Sequence, residues 1–104
     1  MKRPFKSIKI LGKHHRVNWG IDLDGDCGQI DEVKNLIEIS DGMGAHEERE
    51  TVLHEIVHAV AHQLGVKMPE KKVRPMSCGI YEVLMNNPKL TAYLFEQGNE
   101  DDAD

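Results

Sequence analysis

Thr51-Val52-Leu53-His54-Glu55-Ile56-Val57-His58-Ala59-Val60 is the stretch on which the reading of this 104-residue chain turns. Residues i and i+4 of a helix lie one turn apart on the same face, so His54 and His58 can both reach one metal ion. Glu55 sits about 100° round the helix from His54, where it can reach a water on the metal without becoming a ligand. The setting suits a buried helix. Val52, Leu53, Ile56, Val57, Ala59 and Val60 are all uncharged, and no Pro or Gly interrupts them. A charge at one of those places would face the core unpaired. The competing reading is an ordinary amphipathic helix whose two His fall four apart by chance.

Working outward, Asp41-Gly42-Met43-Gly44 breaks the preceding strand, and the spacing predicts one long helix from Ala45 to Leu64 capped by Gly65. Glu47, Glu48 and Glu50 lie near its start, where the helix dipole favours negative charge. Leu53, Ile56, Val57, Val60 and Leu64 form one apolar stripe, with the His pair at its margin. His62 continues the i, i+4 series. It lies about 12 Å along the axis from His54, too far to share a zinc whose bonds are about 2 Å, and is read as a partly exposed polar residue.

Before the helix the chain reads as short strands. Ser7-Ile8-Lys9-Ile10-Leu11 alternates polar and apolar, Gly12-Lys13-His14-His15 is expected to turn, and Arg16-Val17-Asn18-Trp19 to return as a hairpin. The adjacent His14 and His15 are expected as exposed turn residues. Asp22-Leu23-Asp24-Gly25-Asp26-Cys27-Gly28 is loop chemistry. It fails as a calcium loop, since position 6 is Cys27 and position 12 is Val33. Gln29-Ile30-Asp31 and Leu36-Ile37-Glu38-Ile39 read as strands joined by a turn at Glu32-Val33-Lys34-Asn35. Ile37 and Ile39 share one side, and an exposed edge here could receive a peptide by main-chain pairing.

After the helix, Pro69 and Glu70 open a second helical segment running to about Asn87. Pro75 is expected either to kink it or to make it begin afresh. Ile80, Val83 and Leu84 repeat at helical spacing, Asn86-Asn87-Pro88 stops it, and Leu90 to Glu96 forms a short last helix. Residues 1–98 make a single domain, and the acidic residues 99–104 are expected to be a disordered tail.

Composition agrees with a soluble globular chain: 39% hydrophobic and 30% charged residues. No apolar run reaches the roughly 20 residues of a membrane helix, and no signal-peptide core follows the basic start, so a cytoplasmic location is expected. The net charge of −5 argues against nucleic acid as a partner, because that binding rests on Lys and Arg neutralising phosphates. Lys67, Lys71, Lys72 and Arg74 cluster after the His helix and read as a solvated face. Cys27 and Cys78 form no CxxC pair and are expected as reduced thiols, with nothing in their spacing to favour a metal.

Gly28-Gln29-Ile30-Asp31, Asn35-Leu36-Ile37-Glu38-Ile39, Glu50 to Ala59, and Gly79-Ile80-Tyr81-Glu82-Val83-Leu84 with Asn87-Pro88 occur in an order that resembles a known group. These are the short phage- and mobile-element-encoded HExxH metallopeptidases, akin to the ImmA/IrrE-like group and the minimal zincins. The likeness runs from about Ser7 to Phe95, and only its HExxH part is chemically specific. The longer metzincin pattern fails, since it wants Gly at 61 and His at 64, where this chain has Ala61 and Leu64. The resemblance implies an α+β fold: a small, mostly antiparallel sheet packed on the HExxH helix, with one or two further helices. It also implies a third ligand, usually Glu, from the second helix. The matching position is Glu70, with Glu82 as its rival.

The expected activity is then zinc-dependent hydrolysis of peptide bonds. His54, His58 and Glu70 hold Zn2+, Glu55 is general base, and Tyr81 is the candidate for a second oxyanion donor. A peptide or protein is the expected substrate. The alternative is a zinc-stabilised module of phage or mobile-element origin that grips a protein and cuts nothing. A third reading has no metal at all.

Overall fold

The N-terminal hairpin turns on two residues. β1 (Ser7–Ile10) and β2 (Lys13–Trp19) pair antiparallel, with Ile10 opposite Lys13, so only Leu11 and Gly12 remain in the loop. Both have positive φ, 48° and 84°, as the tightest primed turns require, and the twist of such turns matches that of the strands they join. The expected turn at Gly12-Lys13-His14-His15 is thereby corrected. Lys13, His14 and His15 are already strand, and their side chains alternate across it. His14 is exposed, whereas His15 is 2% exposed and packs on the side of Val17, its Nδ1 3.1 Å from the Lys13 carbonyl. The computed structural model describes residues 3–96, so the acidic tail, and Gly98, expected from the sequence to stop the last helix, lie outside the described residues.

From β2 the chain crosses through residues 20–27 to β3 (Gly28–Asp31), then returns through a four-residue loop as β4 (Leu36–Ile39). Asp22 and Asp31 hold the two loops. The Asp22 side chain accepts the Asp24 N–H, and that of Asp31 accepts those of Val33 and Lys34. β4 inserts between β2 and β3, giving the order β1-β2-β4-β3. The outer pairs are antiparallel and the central β2–β4 pair is parallel, so the sheet is mixed. β3 is left as an edge strand.

One face of the sheet is apolar. Ile10, Val17, Ile37 and Ile39 bury there with Ala59, and Ile8, Trp19, Ile30, Val52, Ile56 and Val60 pack round them. The other face carries polar residues such as Gln29 and Glu38, whose side chains bond across the strands at 2.7 Å. This is the one-sided pattern of a sheet with a single covered face. The cover is α1 (Ala45–Leu64), which ends at Gly65 with φ 68°, where the Val66 N–H returns to the Ala61 carbonyl.

The buried stripe of α1 is rotated from the expected one. Thr51, Glu55, Ala59 and Ala61 are its buried residues, while Leu64 is 62% exposed. The helix approaches β3 closely where Gly28, without a side chain, faces Thr51 and Glu55.

α2 (Glu70–Asn86) is one continuous helix despite Pro75. Proline removes the hydrogen bond to the carbonyl of residue 71. Lys71 and Pro75 are both exposed, so water can satisfy that carbonyl. α2 packs on α1 and on α3 (Pro88–Leu94), and makes no comparable contact with the sheet. Its buried residues are Val73 and Ser77. The last helix begins on Pro88 and is tied back by the Thr91 hydroxyl, which donates to the Leu84 carbonyl at 2.7 Å. Among the described residues no helix is long and apolar enough to cross a membrane.

Candidate metal centre

α1 and α2 run antiparallel. As α2 ascends, its residues meet α1 in descending order: Glu70 at His58, Ser77 at His54, Cys78 at Glu50 and Tyr81 at His46. This pairing brings the candidate ligands together. The His54 and His58 rings stand 4.8 Å apart, and both turn Nε2 toward the Glu70 carboxylate. The separations are 3.0 Å from His54 to Glu70 Oε2 and 2.9 Å from His58 to Oε1. The three ligand atoms lie within 4.8 Å of one another, and the group could hold a metal ion.

The donor chemistry bears on what fits there. Two imidazole nitrogens and a carboxylate oxygen converge, and because the carboxylate only accepts, each short contact needs either a hydrogen on the imidazole Nε2 or a metal ion between nitrogen and oxygen. Tetrahedral ligands about 2 Å from a zinc are about 3.3 Å apart, so the two His–Glu70 separations need only a few tenths of an ångström of adjustment.

The surrounding residues fix the orientation of this set. Ser77 is 2% exposed, and its hydroxyl lies 3.3 Å from His54 Nδ1 and 3.2 Å from the Arg74 carbonyl. With its hydrogen given to the Arg74 carbonyl, the hydroxyl can accept from Nδ1–H, and that tautomer leaves Nε2 free to ligate. Arg74 donates to Glu70 Oε2 at 3.1 Å. Burial disfavours the ionised form of Glu70, but the hydrogen bonds and charge of His58 and His54 outweigh it and hold the carboxyl below its ordinary value.

Glu55 lies on the neighbouring face of α1, 5% exposed, and makes no hydrogen bond to another described residue. Burial above all pushes its carboxyl up to about 7 from the ordinary 4.5. The charges of Glu70 and Asp26 add to this, and those of His58 and Arg74 oppose it. Beside it, the β3 backbone comes close at Gly28. A Cβ there would stand 2.7 Å from Thr51 Cγ2 and 3.3 Å from Glu55 Oε2. His54, Glu55, His58 and Glu70 all open onto one cleft of about 730 Å³, walled by the β3 edge on one side and by α1 and α2 on the other.

The other sequence candidates lie elsewhere. Glu82 bonds Asn86 on its own helix, and twelve residues of rise put it about 18 Å along α2 from Glu70. The Tyr81 hydroxyl lies 2.7 Å from His46 Nδ1, and Tyr81 does not line the cleft. His62 is exposed and pairs with Glu32. Sequence reasoning passed over Ser77, read Arg74 as part of a solvated face, and read Cys27 and Cys78 as reduced thiols; all four line the cleft. Spacings of four and seven from Glu70 could have placed Arg74 and Ser77 on its helix face. Burial, then the hydrogen bond to Glu47 and its charge, push the Cys27 thiol up, so it stays protonated near neutral pH. Comparison of the chain with protein-family profiles, with curated proteins and with solved structures finds no match in any of the three.

Proposed function

We propose that the protein is a small zinc-dependent metallopeptidase in which His54, His58 and Glu70 hold the ion and Glu55 is the general base. The observation that carries this reading is the convergence of two His Nε2 atoms and one carboxylate beside a buried carboxyl with no protein partner. A His2Glu set is a donor combination used by catalytic zinc, and the open cleft leaves room for a fourth ligand. When bound, zinc supplies Lewis acidity, acidifying water and polarising a carbonyl.

The chain's own residues supply the rest. Glu55 takes a proton at its carboxylate and returns it to the leaving amine. A carboxyl whose affinity for the proton lies near neutrality suits both tasks. Ser77 and Arg74 keep His54 and Glu70 aimed. Gly28, Gln29 and Ile30 of edge strand β3 border the cleft, so an extended peptide can pair with their backbone and lie across the ligands. That edge favours a peptide over other hydrolysable substrates.

The test is metal content and peptide cleavage of untagged wild-type protein and Glu55→Gln. The expected result is one zinc per chain in both and cleavage by the wild type alone. Protein that retains no zinc overturns the reading. Zinc retained without cleavage by the wild type points instead to a zinc-stabilised binding module.

A further inference from the structure

Tyr81, expected to be the second oxyanion donor, is turned to His46 and does not line the cleft, so that part falls to another group. Most donors on the cleft wall are already committed. Gln29 donates to Glu38 on the other face of the sheet, Thr51 to the Glu47 carbonyl and Ser77 to the Arg74 carbonyl. Among the described residues the one Lys or Arg on the cleft wall is Arg74. A guanidinium carries N–H groups on three nitrogens, and only Nη2 is engaged, with Glu70 Oε2 at 3.1 Å. Nε and Nη1 have no partner among the described residues.

Arg74 is held at the edge of the ligand set. The Glu70 oxygen that it touches is the one lying 3.0 Å from His54 Nε2. Residues 70 and 74 are one turn apart on one face of α2, which fixes this approach. The charge is also felt on the opposite wall. Burial dominates the upward push on the Cys27 thiol there, and Arg74 is among the groups that oppose it. Aiming Glu70 does not by itself call for an arginine. A positive charge beside a cation site repels the cation, and it becomes favourable when a further negative charge joins the site.

Peptide hydrolysis supplies that charge. As a water oxygen bonds to the scissile carbonyl carbon, Glu55 takes one water proton and the C=O π pair moves onto the carbonyl oxygen. When the carbonyl re-forms, the C–N pair leaves with the nitrogen, which takes the proton from Glu55. Resting on the peptidase reading, we infer that Arg74 is a catalytic residue that donates a hydrogen bond to this carbonyl oxygen while it is negative. Donors set in advance where charge develops stabilise the transition state more than the substrate. A peptide seated in the cleft covers the Arg74 side chain, 70% exposed in the free protein, and excludes the water that would screen it.

The probes are a peptide from a random library that the wild type cuts, and the phosphinic analogue of that peptide, whose centre is tetrahedral and anionic. All measurements use zinc-loaded protein, with zinc content assayed in each variant. Arg74→Ala should keep its zinc, lower kcat by about 100-fold and leave KM within about twofold. Its affinity for the phosphinic analogue should fall by a similar factor, whereas Glu55→Gln with and without Arg74→Ala should bind the intact peptide alike. Arg74→Lys keeps a cation beside Glu70 with fewer donors, and should fall between wild type and Arg74→Ala in kcat and in analogue affinity. It carries the same comparison where the alanine variant loses zinc. A fall in kcat without a fall in analogue affinity overturns the inference, because Arg74 then acts only through Glu70. An unchanged kcat overturns it too, and in both cases the peptidase reading stands. A zinc-loaded wild type that cuts nothing in the library removes the peptidase reading and the inference with it.

Discussion

Ser77 and His54 meet across the two helices, hydroxyl to Nδ1 at 3.3 Å, on the opposite ring nitrogen from the one facing Glu70. The contact holds the tilt of the ring and, with the hydroxyl hydrogen on the Arg74 carbonyl, favours the tautomer protonated at Nδ1. Ser77→Ala should therefore weaken zinc binding by about 10- to 100-fold while leaving the fold intact, since only a hydroxyl is lost. Competition with a chelator of known affinity, alongside a thermal melt, measures the two effects separately. Unchanged affinity would mean that the ring is held by packing alone.

Glu70 and Glu82 lie on the same helix but do different things. Glu70 faces both His rings, and Glu82 bonds Asn86 on the surface. Glu70→Ala should abolish tight metal binding, because two imidazoles alone hold zinc poorly. Glu82→Ala should leave metal content unchanged. Elemental assay of the two variants after dialysis decides between them, and metal retained by Glu70→Ala would assign the third position to another group.

Much of the fold was legible because it rests on local rules. α1 starts and stops where its flanking glycines predicted, and β3, β4 and the loop between them fall where the alternation placed them. The His pair was legible for the same reason, since helical spacing alone puts both rings on one face. Features that depend on how elements meet were not. The Leu11-Gly12 turn puts a leucine at positive φ, which nothing in its side chain announces. Ser77 became a partner of His54 only once α2 was known to run antiparallel to α1. The parallel β2–β4 pair, with β4 inserted ahead of β3, is a long-range choice that strand patterns do not carry. Pro75 left two readings open, a kink or a fresh start, and the continuous α2 removes the second; which of them holds depends on whether the freed carbonyl can reach water.

Gly28 shows how tightly the β3 edge and α1 are fitted. An added Cβ would fall 2.7 Å from Thr51 Cγ2 and 3.3 Å from both the Glu38 carbonyl and Glu55 Oε2. The Glu38 carbonyl belongs to the sheet and cannot swing aside, so β3 and α1 must part. Gly28→Ala should cost about 1–3 kcal/mol of stability, as overpacked contacts do. It should also lower peptidase activity by displacing Glu55 while zinc content stays unchanged, because Gly28 touches none of the ligands. Denaturant unfolding, metal assay and cleavage rate together test this.

Glu55 opposes stability at the position where the proposed function needs it. In the metal-free protein its carboxyl is pushed up to about 7, first by burial, against an ordinary value of 4.5. For an acid whose folded value is raised, the folded state holds its proton more tightly than the unfolded chain. No penalty exists below about pH 4.5, where both states are protonated. Stability is lost as pH rises from there to about 7, while the unfolded chain ionises first, and the loss is complete above that. The gap corresponds to roughly 3 kcal/mol. Glu55→Gln cannot ionise, so in the presence of chelator it should match the wild type near pH 4.5 and exceed it by up to about 3 kcal/mol near pH 8. The same substitution should abolish cleavage. Urea unfolding of the two metal-free proteins at both pH values measures the difference, and a variant no more stable at the higher pH would show that the Glu55 carboxylate is solvated rather than confined.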